Sequence, residues 1–440
     1  MPAAPRATLW RHRDFLLLWG GQAISQVGSQ VTILALPLVA IVALHASTLQ
    51  IGLLSATTTS AYLLVSLPAG VAVDRMSKRT LMLASDAAQI VVIGSVPLAY
   101  AAGVLSLAQL YVVALATSVL EVFFLVSYTS YLPVLVPPDQ LMDGNGKLAA
   151  TQSMAQIAGP GLGALLVGVA GAALAMGSDA LSFAASAACL VAIRRREPRT
   201  PRIPRIPRTP RTPRTRPAGG SAEPRPGFRQ EIGAGLSYVL REPVLRHAVA
   251  WNGSANFFVI MVETLGPLFL IRIVHLRPAY VGVLLALGAI GGVVAGVTAQ
   301  PLIRRIGSAR IAWMSMTVFA LPGLLIPLAG PGWWVLLFAA GWISWTFSAT
   351  LASIALTSYQ QATCPPELRG RVSAAQRWIN WGTLPLGGLA GGALGTTIGV
   401  HATLWLAVIG ATASGLWLYL SPLRGQRDLT GVLRPAPQAR

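Results

Sequence analysis

The chain has 440 residues, of which 54% are hydrophobic and only 11% are charged, and its mean hydropathy is +0.62. Soluble domains carry about 25% charged residues, so this composition all but excludes a soluble enzyme of this length and extensive disorder. Because one membrane crossing takes about 20 apolar residues, the composition predicts a polytopic membrane protein.

Apolar runs, marked off by charged residues, glycine and proline, predict twelve membrane helices. The runs lie near residues 16–43, 50–73, 80–102, 107–133, 148–169, 174–193, 247–271, 279–302, 310–329, 333–358, 378–398 and 402–421. They are too long and too uniformly apolar for the alternating strands of a membrane β-barrel. The predicted fold class is therefore an all-α polytopic membrane protein with twelve transmembrane helices.

The basic residues orient this predicted topology. With the N-terminus in the cytoplasm, all but two of the 33 Lys and Arg residues fall in cytoplasmic segments, the exceptions being Arg272 and Arg277. The positive-inside rule then predicts that both termini are cytoplasmic. Since topology explains most of the net charge of +19, we expect no nucleic-acid partner.

Two six-helix bundles of the same orientation follow from the helix count. The predicted domains are an N-terminal bundle at 1–193, a Pro/Arg-rich cytoplasmic linker at 194–246, a C-terminal bundle at 247–421 and a cytoplasmic tail at 422–440.

The linker contains Pro-Arg-Thr and Pro-Arg-Ile triplets from Pro198 to Thr215, which favour an extended polyproline II chain. It is either a solvated spacer or a contact for anionic lipid headgroups or another acidic partner. The following segment, Phe228 to Leu245, predicts a short amphipathic helix on the inner membrane surface. Its apolar face would consist of Ile232, Leu236, Val239 and Leu240.

The two halves contain an internal repeat at an offset of 228 residues. Thr129-Ser130-Tyr131 recurs as Thr357-Ser358-Tyr359, and further glycines match at the same offset. Such repeats are typical of transporters in which two bundles surround a central path. Within the repeat we predict close helix packing, rather than a dinucleotide site, at Gly159, Pro160, Gly163, Gly387 and Gly391.

The loop after the second helix has the pattern Gly70-x-x-x-Asp74-Arg75, followed by Lys78 and Arg79. Asp74 lies at the C-terminal end of a helix, where the helix dipole disfavours an anion, so it needs a partner. The nearby basic residues, or a helix N-terminus of the other half, would supply one.

Here the chain resembles the major facilitator superfamily, whose signature in this loop is G-x-x-x-D-R/K-x-G-x-R/K-R/K. Ser77 and Thr80 depart from that pattern. The resemblance implies two six-helix bundles, a functional monomer, a cavity lined by helices one, four, seven and ten, and a latch between the halves at Asp74.

Several further stretches are similar to the enterobactin-exporter and transmembrane-secretion-effector branch of that family. These are Tyr131-Leu-Pro133, the glycines from Gly159 to Gly163, Asp179-Ala-Leu-Ser-Phe183 and Pro366-Glu367-Leu-Arg369-Gly370-Arg371-Val372. This resemblance implies export of siderophores, macrolides or other secondary metabolites.

The energy source must be an ion gradient or a partner ATPase, because the sequence has no phosphate-binding loop of the G-x-x-x-x-G-K-[ST] type. Acids inside membrane helices are functional candidates by default. The proton-coupling candidates are Glu121, Glu263, Asp86 and Asp179. A structural hydrogen bond is the alternative for both glutamates, a helix N-cap for Asp179, and pairing with the adjacent basic loop for Asp86.

Polar and aromatic faces on helices one, four, seven and ten predict the cavity lining. The candidates are Gln22, Gln26, Ser29, Tyr128, Asn252, Asn256, Trp342, Trp345 and Ser348. Aromatic rings beside a few polar groups favour an amphipathic organic ligand over a sugar or an inorganic ion. The sequence predicts no cofactor, no metal site and no enzyme activity.

The leading functional hypothesis is a proton-coupled exporter of amphipathic small molecules, acting by alternating access in the cytoplasmic membrane of a bacterium. A proton symporter for uptake is the first alternative. A non-transporting sensor or scaffold that acts through its basic linker is the second.

Overall fold

The structure, a computed structural model, describes Leu9 and residues 12–194 and 236–429. The described residues form twelve long helical segments and no strand. The segments are α1 (Arg13–Val42), α2 (Thr48–Arg75), α3 (Lys78–Ala101), α4 (Leu107–Leu135), α5 (Leu141–Ala170), α6 (Ala172–Ala192), α7 (Pro243–Arg272), α8 (Pro278–Ile306), α9 (Ser308–Leu328), α10 (Leu336–Thr363), α11 (Pro366–Thr397) and α12 (Val400–Tyr419). Among the residues that the structure describes, ten of these segments are long and apolar enough to cross a membrane by length and composition. The predicted twelve-helix, all-α class is confirmed.

Two helices extend well beyond their apolar runs. α5 begins at Leu141 and α11 at Pro366, whereas the apolar runs begin near 148 and 378. The added turns carry charged residues, such as the Asp143–Lys147 ion pair of 2.5 Å on α5. Hydropathy marks only the part of a helix that lies in the bilayer, so it misses such polar extensions.

α9 is not a continuous α-helix. It passes from α-helix at Ser308–Met314 through a π-helical turn at Ser315–Phe319 to 3-10 helix at Leu321–Leu328. Pro322 and Pro327 lack amide hydrogens, so the regular α-helical hydrogen bonds cannot continue. Neighbouring helices satisfy two of the released carbonyls: the hydroxyl of Ser344 donates to Phe319 O, and a ring nitrogen of His401 lies 2.8 Å from Pro327 O.

The helices form two halves with the same internal packing. α1 packs against α5 and α6, and α7 packs equivalently against α11 and α12. Glycines bring these helices together: a Cβ on Gly159 would overlap the side chain of Gln30, and one on Gly387 would overlap Phe257 O. Gly163 and Gly391, one turn further along, continue the same contacts with α1 and α7.

Each half has six long helical segments, so the start of α1, the end of α6, the start of α7 and the end of α12 all lie on one side, which we call the basic face. Within the linker, residues 236–241 are helical and contact the C-terminal half, where Tyr238 OH donates to Thr363 O at 3.3 Å. Val239 is buried there but Leu240 is exposed, so the two do not share one buried face. The predicted polyproline stretch and the segment 228–235 lie outside the described residues.

The halves meet most closely at the ends away from the basic face, which we call the opposite face. Here α2 packs against α11 and α5 against α8. A Cβ on Gly52 of α2 would lie 2.5 Å from the Cα of Gly392 of α11, so only glycine permits this approach. Buried apolar side chains of both halves, such as Leu38, Ile51 and Leu268, form one cluster in this region. The molecule is therefore closed at the opposite face.

Candidate functional site

A central cavity of about 490 Å³ lies between the halves, and members of the apolar cluster such as Leu34, Ile51 and Leu285 form part of its wall. Its walls combine aliphatic side chains with hydroxyl groups, one indole and three carboxyl groups. The polar and aromatic lining residues are Ser29, Gln30, Thr32, Ser55, Thr58, Thr59, Gln89, Thr117, Ser118, Glu121, Asp179, Glu263, Thr264 and Trp342. The cavity is therefore amphipathic, with acids in an otherwise uncharged wall.

The three carboxyl groups come from different helices. Glu121 of α4 and Glu263 of α7 are exposed to the cavity, one in each half. Asp179 of α6 is 1% exposed, and its oxygens accept hydrogen bonds from Thr32 Oγ1 at 2.5 Å and Ser182 Oγ at 3.0 Å. Glu121 lies close enough to Asp179 for the two carboxyl groups to interact electrostatically.

The interpretation of Asp179 as a helix N-cap is wrong. α6 begins at Ala172, directly after Gly171. Gly171 has a φ of +82°, which is not helical, so it ends α5 and separates the two helices. Asp179 consequently lies two turns inside the helix, where its side chain bridges to α1 through Thr32.

Asp86 of α3 lies outside the central cavity. It is fully buried, and neither carboxyl oxygen has a hydrogen-bond partner among the described residues. Ser186 of α6 is adjacent to it, but outside hydrogen-bonding geometry. Asp86 has no hydrogen bond to the described part of the basic loop, and Arg79 of that loop donates to Leu190 O and Val191 O, at 3.0 and 2.9 Å, and so caps the end of α6.

Two of the predicted lining residues, Ser29 and Trp342, do line the cavity. Trp342 occupies space left by Gly288 of α8, where a Cβ would overlap the indole ring. Its neighbour Trp345 instead packs into the core of the C-terminal half, next to Gly323 of α9. Ser348 is fully buried there and donates to Ser344 O at 2.7 Å.

The other five predicted lining residues do not line the central cavity. Gln22 is buried, Gln26 is half-buried, and Tyr128 stacks on Phe124 with ring centroids 6.3 Å apart. In the C-terminal half, Asn256 Nδ2 donates to Asn252 Oδ1 at 2.7 Å, and Asn252 lines a separate, smaller pocket. Asn252 and Asn256 therefore differ from Glu263 of the same helix, which does line the central cavity.

The hydroxyl groups that α2 contributes were missed from the sequence. Ser55, Thr58 and Thr59 face the cavity, and Thr58 O accepts a hydrogen bond from Ser118 Oγ of α4 at 2.7 Å. The signal was present as an unbroken Thr-Thr-Thr-Ser run at 57–60 within an apolar helix.

The predicted latch loop is described only in part. The side chains of Gly70, Asp74 and Arg75 lie outside the described residues, so their contacts stay a prediction. Lys78 begins α3, whose N-cap is Ser77.

The fold and cavity define a class: a polytopic membrane protein whose two six-helix halves enclose a central binding cavity. Among solved structures, the chain is similar to a mutant of the nucleoside transporter NupG at 11% identity and a TM-score of 0.71, over 92% of this chain and 98% of that one. It is also similar to a bacterial homologue of the iron transporter ferroportin in its inward-facing state, at 15% identity and a TM-score of 0.69, over 93% and 99%. A bacterial homologue of the human lysosomal transporter Spinster, inward-facing and unoccupied, matches at 13% identity and a TM-score of 0.69, over 97% and 99%. At these identities the likeness concerns the fold alone.

The family model of the Major Facilitator Superfamily matches residues 18–382, and the chain belongs to this family. A comparison with curated protein sequences gives no significant match. The protein is accordingly a multi-pass membrane transporter of a small-molecule substrate and not an enzyme.

Proposed function

We propose that this transporter exports amphipathic small molecules, of the drug, macrolide, siderophore or secondary-metabolite type, in exchange for protons. The observation that carries the proposal is that Glu121, Asp179 and Glu263 line one cavity whose remaining walls are apolar or carry uncharged polar groups. Apolar walls suit the body of such a molecule, and a few polar groups fix its orientation.

The acids supply a mechanism for exchange. A carboxylate in an apolar cavity is costly unless a proton or a cationic group neutralises it. Glu121 and Asp179 interact electrostatically, which adds to this cost when both are charged. A proton and a cationic group on the cargo therefore compete for the same carboxyl groups, so binding of one favours release of the other.

The membrane potential drives such a cycle when more protons enter than cargo charges leave, because net charge then crosses the membrane. One charge crossing the membrane gains about 2.3 kcal/mol per 100 mV, which corresponds to a roughly 50-fold cargo gradient. With the basic face in the cytoplasm, as the positive-inside rule requires, the closed opposite face makes this conformation inward-facing. We place the protein as a monomer in a bacterial cytoplasmic membrane.

The test uses an efflux-deficient bacterium that expresses the chain. Accumulation of a panel of macrolides, dyes and siderophores is followed with and without a protonophore. We expect lower accumulation of at least one compound, abolished by the protonophore; raised accumulation under the same control would instead establish uptake by symport.

The coupling acids are tested with the compound so identified. Glu121→Gln and Glu263→Gln should each reduce gradient-dependent export, whereas Asp143→Asn, an acid of the surface ion pair on α5, should not. Full export by both glutamate variants would refute their assignment. Deletion of 198–217 separates the scaffold alternative, because a transporter should largely keep its transport without the linker.

A further inference from the structure

Gln30 of α1 places an uncharged amide group in the wall of the central cavity. The aliphatic stem of this side chain fills a gap on α5, where a Cβ on Gly159 would overlap both Gln30 Cβ and Gln30 Cγ. The amide carbon lies 3.8 Å from the same point, beyond the gap. Helix packing therefore fixes the stem and leaves the amide group at its end for another contact.

Both polar atoms of this amide are unpaired and accessible. Gln30 Oε1 and Nε2 make no hydrogen bond with any described residue, and they do not belong to the unpaired atoms that the protein encloses. Gln22 Oε1, two turns earlier on the same helix, is one of those enclosed atoms. The Gln30 amide is therefore open to a partner in the cavity, whereas the Gln22 amide oxygen is not.

The C-terminal half shows that packing at this position does not require an amide. The turns after α1 and α7 each contain a hydrogen bond to the carbonyl six residues earlier, from Ala46 N in one and Leu276 N in the other. These helices therefore correspond at an offset of 230 residues, which relates Gln30 to Ile260. Ile260 fills the equivalent gap on α11, where a Cβ on Gly387 would overlap Ile260 Cγ2, and it also lines the central cavity. Since an aliphatic side chain suffices for the packing, the amide of Gln30 has another role.

The geometry of an amide defines the partner that it binds best. Its donor and its acceptor lie side by side in one plane, so a group that carries the same pair in reverse order forms two parallel hydrogen bonds with it. We propose that Gln30 is a subsite for a carboxamide-type group of the cargo: a primary amide, a lactam or a carbamate. The apolar part of the cargo then faces the aliphatic wall of the other half, to which Ile260 and Leu285 contribute.

The inference rests on the proposed function, in which the central cavity holds the cargo, and it narrows the substrate class. In a hydrated cavity, water supplies partners for a free amide. A cargo that displaces this water without replacing its hydrogen bonds leaves a donor and an acceptor unpaired, which lowers its affinity. Gln30 thereby selects against molecules that lack the matching pair.

The test uses two uncharged fragments of nearly equal shape, benzamide and acetophenone. Benzamide carries a donor beside its acceptor, whereas acetophenone has a methyl group in place of the donor. The full chain in lipid nanodiscs is labelled with ¹⁵N at its tryptophan indoles, and the signal of Trp342, which lines the cavity, is assigned by its loss in Trp342→Phe. At equal free concentrations in the aqueous phase, we expect benzamide to shift this signal saturably and acetophenone to bind about 3- to 10-fold more weakly.

Gln30→Met keeps a stem of similar length against Gly159 and removes both polar atoms. It should weaken benzamide to the level of acetophenone and leave acetophenone unchanged, which also shows that the variant is folded. If Gln30→Met bound neither fragment, Gln30→Ile would take its place, because it copies the side chain of the other half. Gln26→Met, one turn earlier on α1 and not among the described residues that line the cavity, is the matched control and should leave both fragments unchanged.

Three results would each overturn the inference: equal binding of the two fragments, an unshifted Trp342 signal, or an unchanged preference for benzamide after the Gln30 substitution. These results are separable from the transport result. Export of panel compounds by a protein without the benzamide preference would overturn the subsite and leave the proposed function intact. A preference that depends on Gln30, in a protein that exports nothing from the panel, would count against the proposed function and support the subsite.

Discussion

One contact at the opposite face joins the two halves directly. Arg272, at the end of α7, donates from Nη2 to the carbonyl oxygen of Ala46, in the turn between α1 and α2, at 2.7 Å. Because these residues belong to different halves, the hydrogen bond exists only while the opposite face is closed. Arg272→Gln should therefore shift the protein toward conformations open at that face.

The size of the shift follows from the geometry. A hydrogen bond to a charged group is worth about 1.5–3 kcal/mol when it is buried. Arg272 is exposed, so solvent screening reduces this to about 1 kcal/mol. Since 1.4 kcal/mol is a factor of ten, we expect the ratio of open to closed molecules to rise about five-fold.

Distances between spin labels on the opposite face measure this ratio. Val104, in the loop between α3 and α4, and Trp333, before α10, are 69% and 87% exposed and belong to different halves. Both are changed to cysteine in a background with Cys189 and Cys364 replaced by serine. In this background, Arg272→Gln should increase the fraction of molecules in which the two spin labels are farther apart.

The control is the other arginine of the same face. Arg277→Gln removes an equal charge at the start of α8 and should leave the distance distribution unchanged. If Arg272→Gln had no effect, or if both variants shifted the distribution alike, the hydrogen bond to Ala46 would not stabilise the closed face.

Two further predictions concern helix packing and capping. Gly52→Ala should strongly reduce transport while the protein still folds, because its Cβ would lie 2.5 Å from Gly392 Cα and prevent closure. The matched change Gly296→Ala, at a site with no atom within 4 Å, should keep transport, and equal rates in cellular accumulation assays would contradict this reasoning. Asp428→Ala should destabilise the protein by about 0.5–2 kcal/mol, because Asp428 Oδ1 accepts from Ser308 N at 3.2 Å and so caps α9. Thermal unfolding in detergent would measure this, and an unchanged midpoint would exclude the cap.

The number and grouping of the helices could be predicted because bilayer thickness fixes the length of an apolar run. Which face of each helix points toward the cavity could not be predicted. Trp342 and Trp345 are one turn apart on α10, yet one lines the cavity and the other packs into the core. Lipid is as apolar as a protein interior, so the periodicity that identifies a buried face in a soluble protein is absent here.

The interpretation of Asp179 as a helix N-cap was wrong for a different reason. The Gly177-Ser178-Asp179 sequence is typical of a helix start, but the turn that separates α5 from α6 lies earlier in the chain, at Gly171. Which of several small residues ends a helix depends on backbone conformation, and the sequence alone does not specify it. The break in α9, in contrast, was signalled by Pro322 and Pro327 and could have been predicted.

The two halves cap the corresponding helices α3 and α9 differently. In the first half the cap is local, since Ser77 directly precedes α3 and accepts from Thr80 N. In the second half Gly307 precedes α9 and has no side chain to offer, so Asp428 and Arg427 O of the tail supply the acceptors. If the halves descend from a duplicated gene, they are no longer interchangeable modules. An expression clone or a fusion should accordingly keep the chain through Leu429 and place any tag beyond it.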